Sequence, residues 1–274
     1  MAEFHLAGII GWPVSGSLSP VIHNAAFDAL GLTNWRYVPL PVQPGRLPEA
    51  LAGLEALSFA GANVTMPHKE ETARLVPAQS EDAALIGAVN TLVVTAKGLI
   101  GHNTDAPGFI RFLEQDTGVE VRDRVALVLG AGGAARACAL ALARMEAGEV
   151  ILAARSAERA RGIADALGSI GTRFRVLSWA EAASTRPAMI VNATPVTSEL
   201  PTPDLGPGQL VVDLVYRPAI TPLVADARRA GAAAFGGLGL LIHQAALSFE
   251  LWTGQVPPLE VMSAAALAEL AEQG

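Results

Sequence analysis

Lys69 ends the segment Asn63-Val64-Thr65-Met66-Pro67-His68-Lys69, in the first turn of a helix that Pro67 opens. A cation at that position opposes the helix dipole, so its presence suggests use rather than stability. Polar Asn63 and Thr65 alternate with Val64 at the end of an apolar run. Further on, Asp105 closes Asn103-Thr104-Asp105. A carboxylate near Lys69 could position the ammonium, while the dipole and partial burial bring its proton affinity towards the working pH. Together they would form an acid–base pair at an alcohol or carbonyl. Taken singly, Asp105 could equally cap a helix that starts at Ala106. Ser17-Leu18-Ser19-Pro20 puts two hydroxyls at the mouth of another helix, where dipole and free N–H groups favour an anion. Ser19 alone reads as the N-cap; Ser17 needs another explanation.

A second segment carries chemistry of a different kind. Gly130-Ala131-Gly132-Gly133-Ala134-Ala135 directly follows an apolar strand and opens a helix. Gly130 permits a tight turn, Gly132 lets the backbone approach a pyrophosphate, and Ala135 takes the close-packing position of a dinucleotide fingerprint. The helix N-terminus offers its N–H groups to the phosphates. The alternative is a turn with a structural role only. Where NAD-selective units end their second strand in Asp or Glu, this chain has Ala154-Arg155-Ser156, followed by Arg159. Two guanidiniums and a hydroxyl suit a 2′-phosphate, which favours NADP; as solvated helix-terminus residues they would carry no such meaning. No metal is expected, because the five histidines are scattered without paired ligand spacing, and His68 reads as a surface or capping residue.

These residues need elements to position them. The N-terminal part reads as a strand His5–Ile10, a polar turn, and a helix from Ser19 to Gly31. A strand Arg36–Leu40, a helix Leu47–Leu57, a strand Gly61–Thr65 and the helix after Pro67 follow, then a hairpin of Ala88–Val94 and Leu99–His102. From about Ala106 a helix to Gln115 leads into a strand Arg124–Leu129, the glycine turn, a helix to Ala147 and a strand Val150–Ala154. That is a βαβ unit of about 30 residues. Further strands are expected at Arg173–Leu177, Met189–Asn192 and Leu210–Val215, with helices between, a helix Leu240–Thr253 and a last Ala/Leu helix after Pro257-Pro258. Alternating strands and helices make the class α/β. The expected boundary falls near Asp105.

Composition narrows the partners. Hydrophobic residues make up 51% of the 274 and charged residues 16%, which excludes a solvated, disordered chain. A net charge of −7 and a pI near 5.3 oppose adhesion to nucleic acid or anionic membranes. Cys138 is the single cysteine, so no intrachain disulfide forms, and a reducing cytoplasm fits. The stretch from Met1 to Pro13 has no Lys or Arg before its broken apolar run and does not read as a signal peptide. Mean hydropathy is +0.38, yet the most apolar window, Val125 to Ala143, contains Arg136 and three glycines and reads as buried strand plus helix instead of a membrane span.

Read in order, the segments GWPVSGSLSPVIHN at 11–24, GANVTMPHK at 61–69, GAVNT at 87–91 and GHNTDAPG at 101–108 form a pattern. It continues through GAGGAAR at 130–136, NATP at 192–195, DLVYRP at 213–218 and GLGLLIHQAALSFELWTG at 237–254. The chain resembles the shikimate dehydrogenase family nearly end to end. The resemblance implies reversible, NADPH-dependent reduction of 3-dehydroshikimate to shikimate in aromatic amino-acid biosynthesis, with shikimate or 3-dehydroshikimate as small-molecule substrate. Quinate or aminoshikimate dehydrogenase is the near alternative, and a catalytically inactive nucleotide-binding sensor the remote one. It further implies an N-terminal α/β substrate domain at 1–104, with 238–274 packing back on it, and a Rossmann domain at 105–237. The family contains monomers and homodimers.

Position by position, the resemblance makes Lys69 the catalytic lysine and Asp105 its partner. It makes Ser17 and Ser19 the binders of the substrate carboxylate, with Thr65, Asn90, Tyr216 and Gln244, besides Lys69 and Asp105, contacting substrate. For the cofactor it implies Gly130, Ala131, Gly132, Gly133 and Ala134 at the diphosphate, and Arg155, Ser156 and Arg159 at the adenosine phosphate. Glu81, Leu214 and Gly237 fall to the nicotinamide end. Three positions depart from the family pattern: Gly16 where histidine is common, Ala154 for the Asn of an NRT segment, and Ala106 for a common Gly. The first loosens the substrate loop and the second removes one adenosine contact. Gly236, Gly237 and Gly239 read as hinge positions.

Overall fold

In the computed structural model, which describes residues 4–272, the strands of the chain assemble into two six-stranded sheets. The N-terminal reading above includes residues 1–3, which lie outside the described residues. Contacts divide the chain into two units: Met1–Thr104 with Ile242–Gly274, and Asp105–Leu241.

In the first unit the order is β1 (His5–Gly11), α1 (Ser19–Ala29), β2 (Trp35–Pro41), α2 (Leu47–Ala56), β3 (Gly61–Val64), α3 (Lys69–Leu75), β4 (Ala78–Gln79), α4 (Glu81–Ile86), β5 (Thr91–Thr95) and β6 (Gly98–His102). The sheet runs β2-β1-β3-β5-β6-β4. β1 lies between β2 and β3 and is parallel to both, with Ile10 opposite Leu40 on one side and Val64 on the other. A strand paired on both edges and covered on both faces must be apolar throughout, and Ala7, Ile9 and Ile10 are buried. β5 pairs antiparallel with β3 and β6.

The second unit contains α5 (Asp105–Phe112), a π-helical turn at Leu113–Thr117, β7 (Val125–Leu129), α6 (Gly133–Arg144), β8 (Glu149–Ala153), α7 (Ala157–Leu167), β9 (Arg173–Leu177), α8 (Trp179–Ala182), β10 (Met189–Asn192), β11 (Leu210–Asp213), α9 (Pro222–Arg229) and β12 (Ala233–Phe235). Its sheet is parallel throughout, in the order β12-β11-β10-β7-β8-β9. Numbered from β7, that is the Rossmann order, whose direction reverses between β7 and β10. α10 (Leu238–Thr253) carries the chain across the unit boundary between Leu241 and Ile242, and α11 (Leu259–Glu272) packs on α1. The second half of α10 is tied to the first sheet by Trp252, whose indole N–H donates to Leu92 O at 2.9 Å. Gly61 makes room for that ring: a Cβ there would sit 2.3 Å from the indole nitrogen. Among the described residues no helix is long and apolar enough to cross a membrane.

Candidate active site

The first site is built at the carboxyl ends of β1 and β3. Gly11 ends β1, and a Cβ on it would fall 2.4 Å from Thr65 Cγ2, so the absence of a side chain lets the Thr65 methyl close against the turn. Backbone bonds lock the two turns together: Thr65 N–H donates to Ile10 O at 2.8 Å and Trp12 N–H to Met66 O at 3.0 Å. Lys69 is the first residue of α3, half-buried, and its carbonyl accepts the Val89 N–H at 3.0 Å, directly beside Asn90. Asn90 is buried, and its amide nitrogen donates to Gln244 Oε1 on α10 at 3.3 Å. Ser17, Ser19, Thr65, Lys69, Asn90 and Gln244 all belong to this first unit.

Two local expectations are corrected. Ser19 is not the N-cap of α1: Leu18 takes that place in a helical conformation and contributes no side-chain bond. The helix thus starts one residue early, with Ser19 and Pro20 both inside its first turn. Ser17 supplies the missing acceptor, taking the Ser19 N–H on its Oγ at 3.2 Å, which answers why a serine stands there. His68, expected at the surface or as a cap, is fully buried; it occupies the N-cap position of α3, but its side chain does not cap. Its Nε2 lies 2.7 Å from Val42 O, so that nitrogen carries the proton and braces the chain leaving β2 against the turn that presents Lys69.

Behind these residues lies a buried polar and aromatic layer that sequence reading missed. Tyr37, Asn63, Thr91, Thr104 and Ser248 are all buried and joined by side-chain hydrogen bonds. His23 stacks on Tyr37 with ring centroids 4.3 Å apart. Neither ring nitrogen of His23 has a hydrogen-bond partner among the described residues. Burial pushes its pKa down to about 3, offset only in part by nearby Asn63, so it stays neutral.

In the second unit Asp105 is the first residue of α5 and is buried. Its neighbour in sequence, Thr104, is anchored in the first unit through the Asn90 amide. The glycine turn lies where the strand order reverses. Gly130 has φ +121°, which disfavours any side chain, and a Cβ on it would meet Ala193 O at 3.0 Å in the turn after β10. Apart from its two chain neighbours, no atom of the described residues lies within 4 Å of the Cβ position of Gly132, and α6 begins at Gly133 with no side-chain cap. Ala135 is fully buried against the sheet. A backbone concavity at an uncapped helix start of 12 residues fits a pyrophosphate. After β8, Arg155 and Arg159 are exposed, and Ser156 caps α7 by accepting the Arg159 N–H at 3.3 Å, which leaves its hydroxyl proton available as a donor. This donor set fits a 2′-phosphorylated dinucleotide.

Leu214 and Gly237 meet directly: a Cβ on Gly237 would lie 2.0 Å from Leu214 O, so the position admits only glycine. The turns after β10 and β11 are set by Asp213, fully buried, which accepts Asn192 Nδ2 at 2.9 Å, Val215 N–H at 3.1 Å and the Thr221 hydroxyl at 2.6 Å. These three donors replace the cation a buried carboxylate otherwise requires. Burial raises the pKa of Tyr216, with the Arg217 charge opposing part of the effect, so the phenol is a donor at neutral pH. Glu81 stands exposed in the first turn of α4, in the first unit.

Residues 9–92 match the model of the shikimate dehydrogenase substrate binding domain, and residues 237–267 that of the shikimate 5′-dehydrogenase C-terminal domain. A relative from Moorella thermoacetica, named shikimate dehydrogenase (NADP(+)), is 45% identical over 95% of this chain and 92% of its own. The chain belongs to the shikimate dehydrogenase family. Another family member, the shikimate 5-dehydrogenase of Thermus thermophilus solved in complex with NADP(H) and shikimate, superposes with a TM-score of 0.86 at 35% identity, covering 97% of this chain and 99% of that one. Quinate dehydrogenase from Corynebacterium glutamicum in complex with NAD is similar to this chain at a TM-score of 0.87 and 30% identity, over 97% and 99% of the two chains. The shikimate dehydrogenase fold thus accounts for both sheets, the parallel Rossmann sheet included.

Proposed function

We propose that this chain is an NADP-dependent shikimate dehydrogenase that reversibly reduces 3-dehydroshikimate to shikimate, a step of chorismate and aromatic amino-acid biosynthesis in the cytoplasm. The observation that carries the reading is the lock between the end of β1 and the turn after β3, Thr65 N–H to Ile10 O, with Lys69 O bonded to Val89 N–H beside Asn90. In this reading the first unit binds substrate and the second binds NADP.

NADPH, when bound, supplies the hydride. Lys69 gives a proton to the ring oxygen as negative charge builds on it, and Asp105 holds the same hydroxyl by a hydrogen bond. Ser17 and Ser19 take the substrate carboxylate at the mouth of α1, so binding energy at one end of the ring aligns the other. Thr65, Asn90, Tyr216 and Gln244 complete the substrate contacts. The diphosphate is received by Gly130, Ala131, Gly132, Gly133 and Ala134, and the 2′-phosphate by Arg155, Ser156 and Arg159. Leu214, Gly237 and Glu81 serve the nicotinamide end.

A second reading, quinate as substrate, is favoured by the likeness to the Corynebacterium enzyme. The arginines after β8, in place of an acid, favour NADP and hence the first reading. Initial rates of reduced cofactor formation, with shikimate or quinate crossed with NADP or NAD, separate them. The expected result is a kcat/KM highest for shikimate with NADP; a preference for quinate with NAD overturns the assignment.

A further inference from the structure

The reaction as assigned uses neither Tyr37 nor Ser248, yet both are buried under the substrate residues, Tyr37 at 2% exposure and Ser248 at 0%. The direction of the hydrogen bonds around Asn63 follows from what each atom can do. Asn63 Nδ2 lies 3.2 Å from the Asn90 carbonyl oxygen, which only accepts, so the amide nitrogen faces that side and Oδ1 faces Tyr37. Tyr37 Oη, 2.7 Å from Oδ1, must therefore donate to it. On its other side Asn63 Nδ2 reaches Thr91 Oγ1 at 3.1 Å and Ser248 Oγ at 2.9 Å. Ser248 Oγ donates to Gln244 O at 3.0 Å and lies 2.8 Å from Thr91 Oγ1 and 3.1 Å from Thr104 Oγ1, contacts in which either hydroxyl can be the donor. Both threonines in turn bond the Asn90 side chain.

We propose that Tyr37 and Ser248 are positioning residues for the substrate site, acting through Asn63 and the two threonines to fix the Asn90 amide. The orientation of Asn63 is single, because its amide nitrogen faces the Asn90 carbonyl and its oxygen the Tyr37 hydroxyl, and the three hydroxyls of Thr91, Thr104 and Ser248 close the network between it and Asn90. Loss of the Tyr37 hydroxyl strips Asn63 Oδ1 of its donor. Loss of the Ser248 hydroxyl strips Asn63 Nδ2 of an acceptor and both threonines of a hydrogen-bond partner. In either case residues proposed to bind substrate lose their orientation while the glycine turn in the other unit keeps its own. This inference rests on the shikimate reading above.

The test is steady-state kinetics of full-length Tyr37→Phe and Ser248→Ala, varying shikimate and NADP separately, with thermal midpoints measured alongside. Each variant is expected to raise the KM for shikimate about five- to fiftyfold, the range for a lost buried hydrogen-bond partner, and to leave the KM for NADP within about twofold. A purely structural role would lower the thermal midpoint and the active fraction without moving either KM, and that result overturns the proposal. Should Ser248→Ala fail to fold, Tyr37→Phe, which removes one oxygen, carries the decision. A wild-type protein without shikimate oxidation defeats the functional reading and the proposal with it; an active wild type with unchanged KM in the variants defeats the proposal alone.

Discussion

The Asn90 side-chain oxygen accepts the backbone N–H of Thr104 at 2.7 Å, while its amide nitrogen donates to Thr104 Oγ1 at 2.9 Å. One buried amide thus holds, from both sides, the residue immediately before Asp105. The carboxylate proposed to hold the reacting hydroxyl is anchored through its neighbour by a residue proposed to touch the same substrate.

Asn90→Ala leaves the Thr104 N–H without its acceptor in a buried place, a loss of about 1–3 kcal/mol. Chemical denaturation should report that destabilisation, and kcat for shikimate should fall at least about tenfold because Asp105 loses its anchor. A variant with wild-type kcat would remove Asn90 from this role.

Arg155→Asp puts a carboxylate where a 2′-phosphate is expected. The affinity for NADPH should fall by about tenfold or more, with NADH affinity little changed, as read by titration of cofactor fluorescence. Equal effects on both cofactors would show that the arginine does not face the phosphate.

Gly237→Ala forces a methyl into the Leu214 carbonyl, since the Cβ position is 2.0 Å from that oxygen. The turn after β11 must shift. We expect a thermal midpoint lowered by several degrees, as for a loss of about 1–3 kcal/mol, and a raised KM for NADP. Unchanged cofactor kinetics would detach this contact from the nicotinamide end.

His23 is neutral in the folded protein because burial lowers its pKa to about 3, against 6.5 when exposed. Between those values the unfolded chain binds a proton that the folded one refuses, so its contribution to stability is complete above about pH 6.5 and is lost as pH falls. The slope from this group is about 1.4 kcal/mol per pH unit in that window. Denaturation curves across it should show a shallower loss for His23→Phe than for the wild type; parallel slopes would contradict a buried, neutral ring.

The parts legible in sequence are those with a local cause. β7, the glycine turn and α6 could be read because an apolar strand, a residue needing positive φ and an uncapped helix start follow one another without a break. β4 and α4 could not, because Ala78–Gln79 is too short to show alternation and α4 has six residues. Lys69 stood out through its conflict with the helix dipole, and the glycine at 237 through its pattern, although only the fold shows the carbonyl it must avoid. The layer of Tyr37, Asn63 and Ser248 was invisible for a physical reason: what satisfies each of these side chains lies on a strand or helix remote in sequence. His68 was misread on the same ground, because its partner is the Val42 carbonyl at the end of another strand.

The assignment turns on Lys69 and Asp105 acting as one unit on one oxygen, and a double-mutant cycle on kcat with shikimate and NADP measures that directly. Lys69→Ala and Asp105→Ala should each lower kcat by about 10²- to 10⁴-fold with NADP affinity retained, and the double variant should be little worse than either single one. Losses that multiply in the double variant would mean that the two residues act independently, and the proposed acid–base pair would not stand.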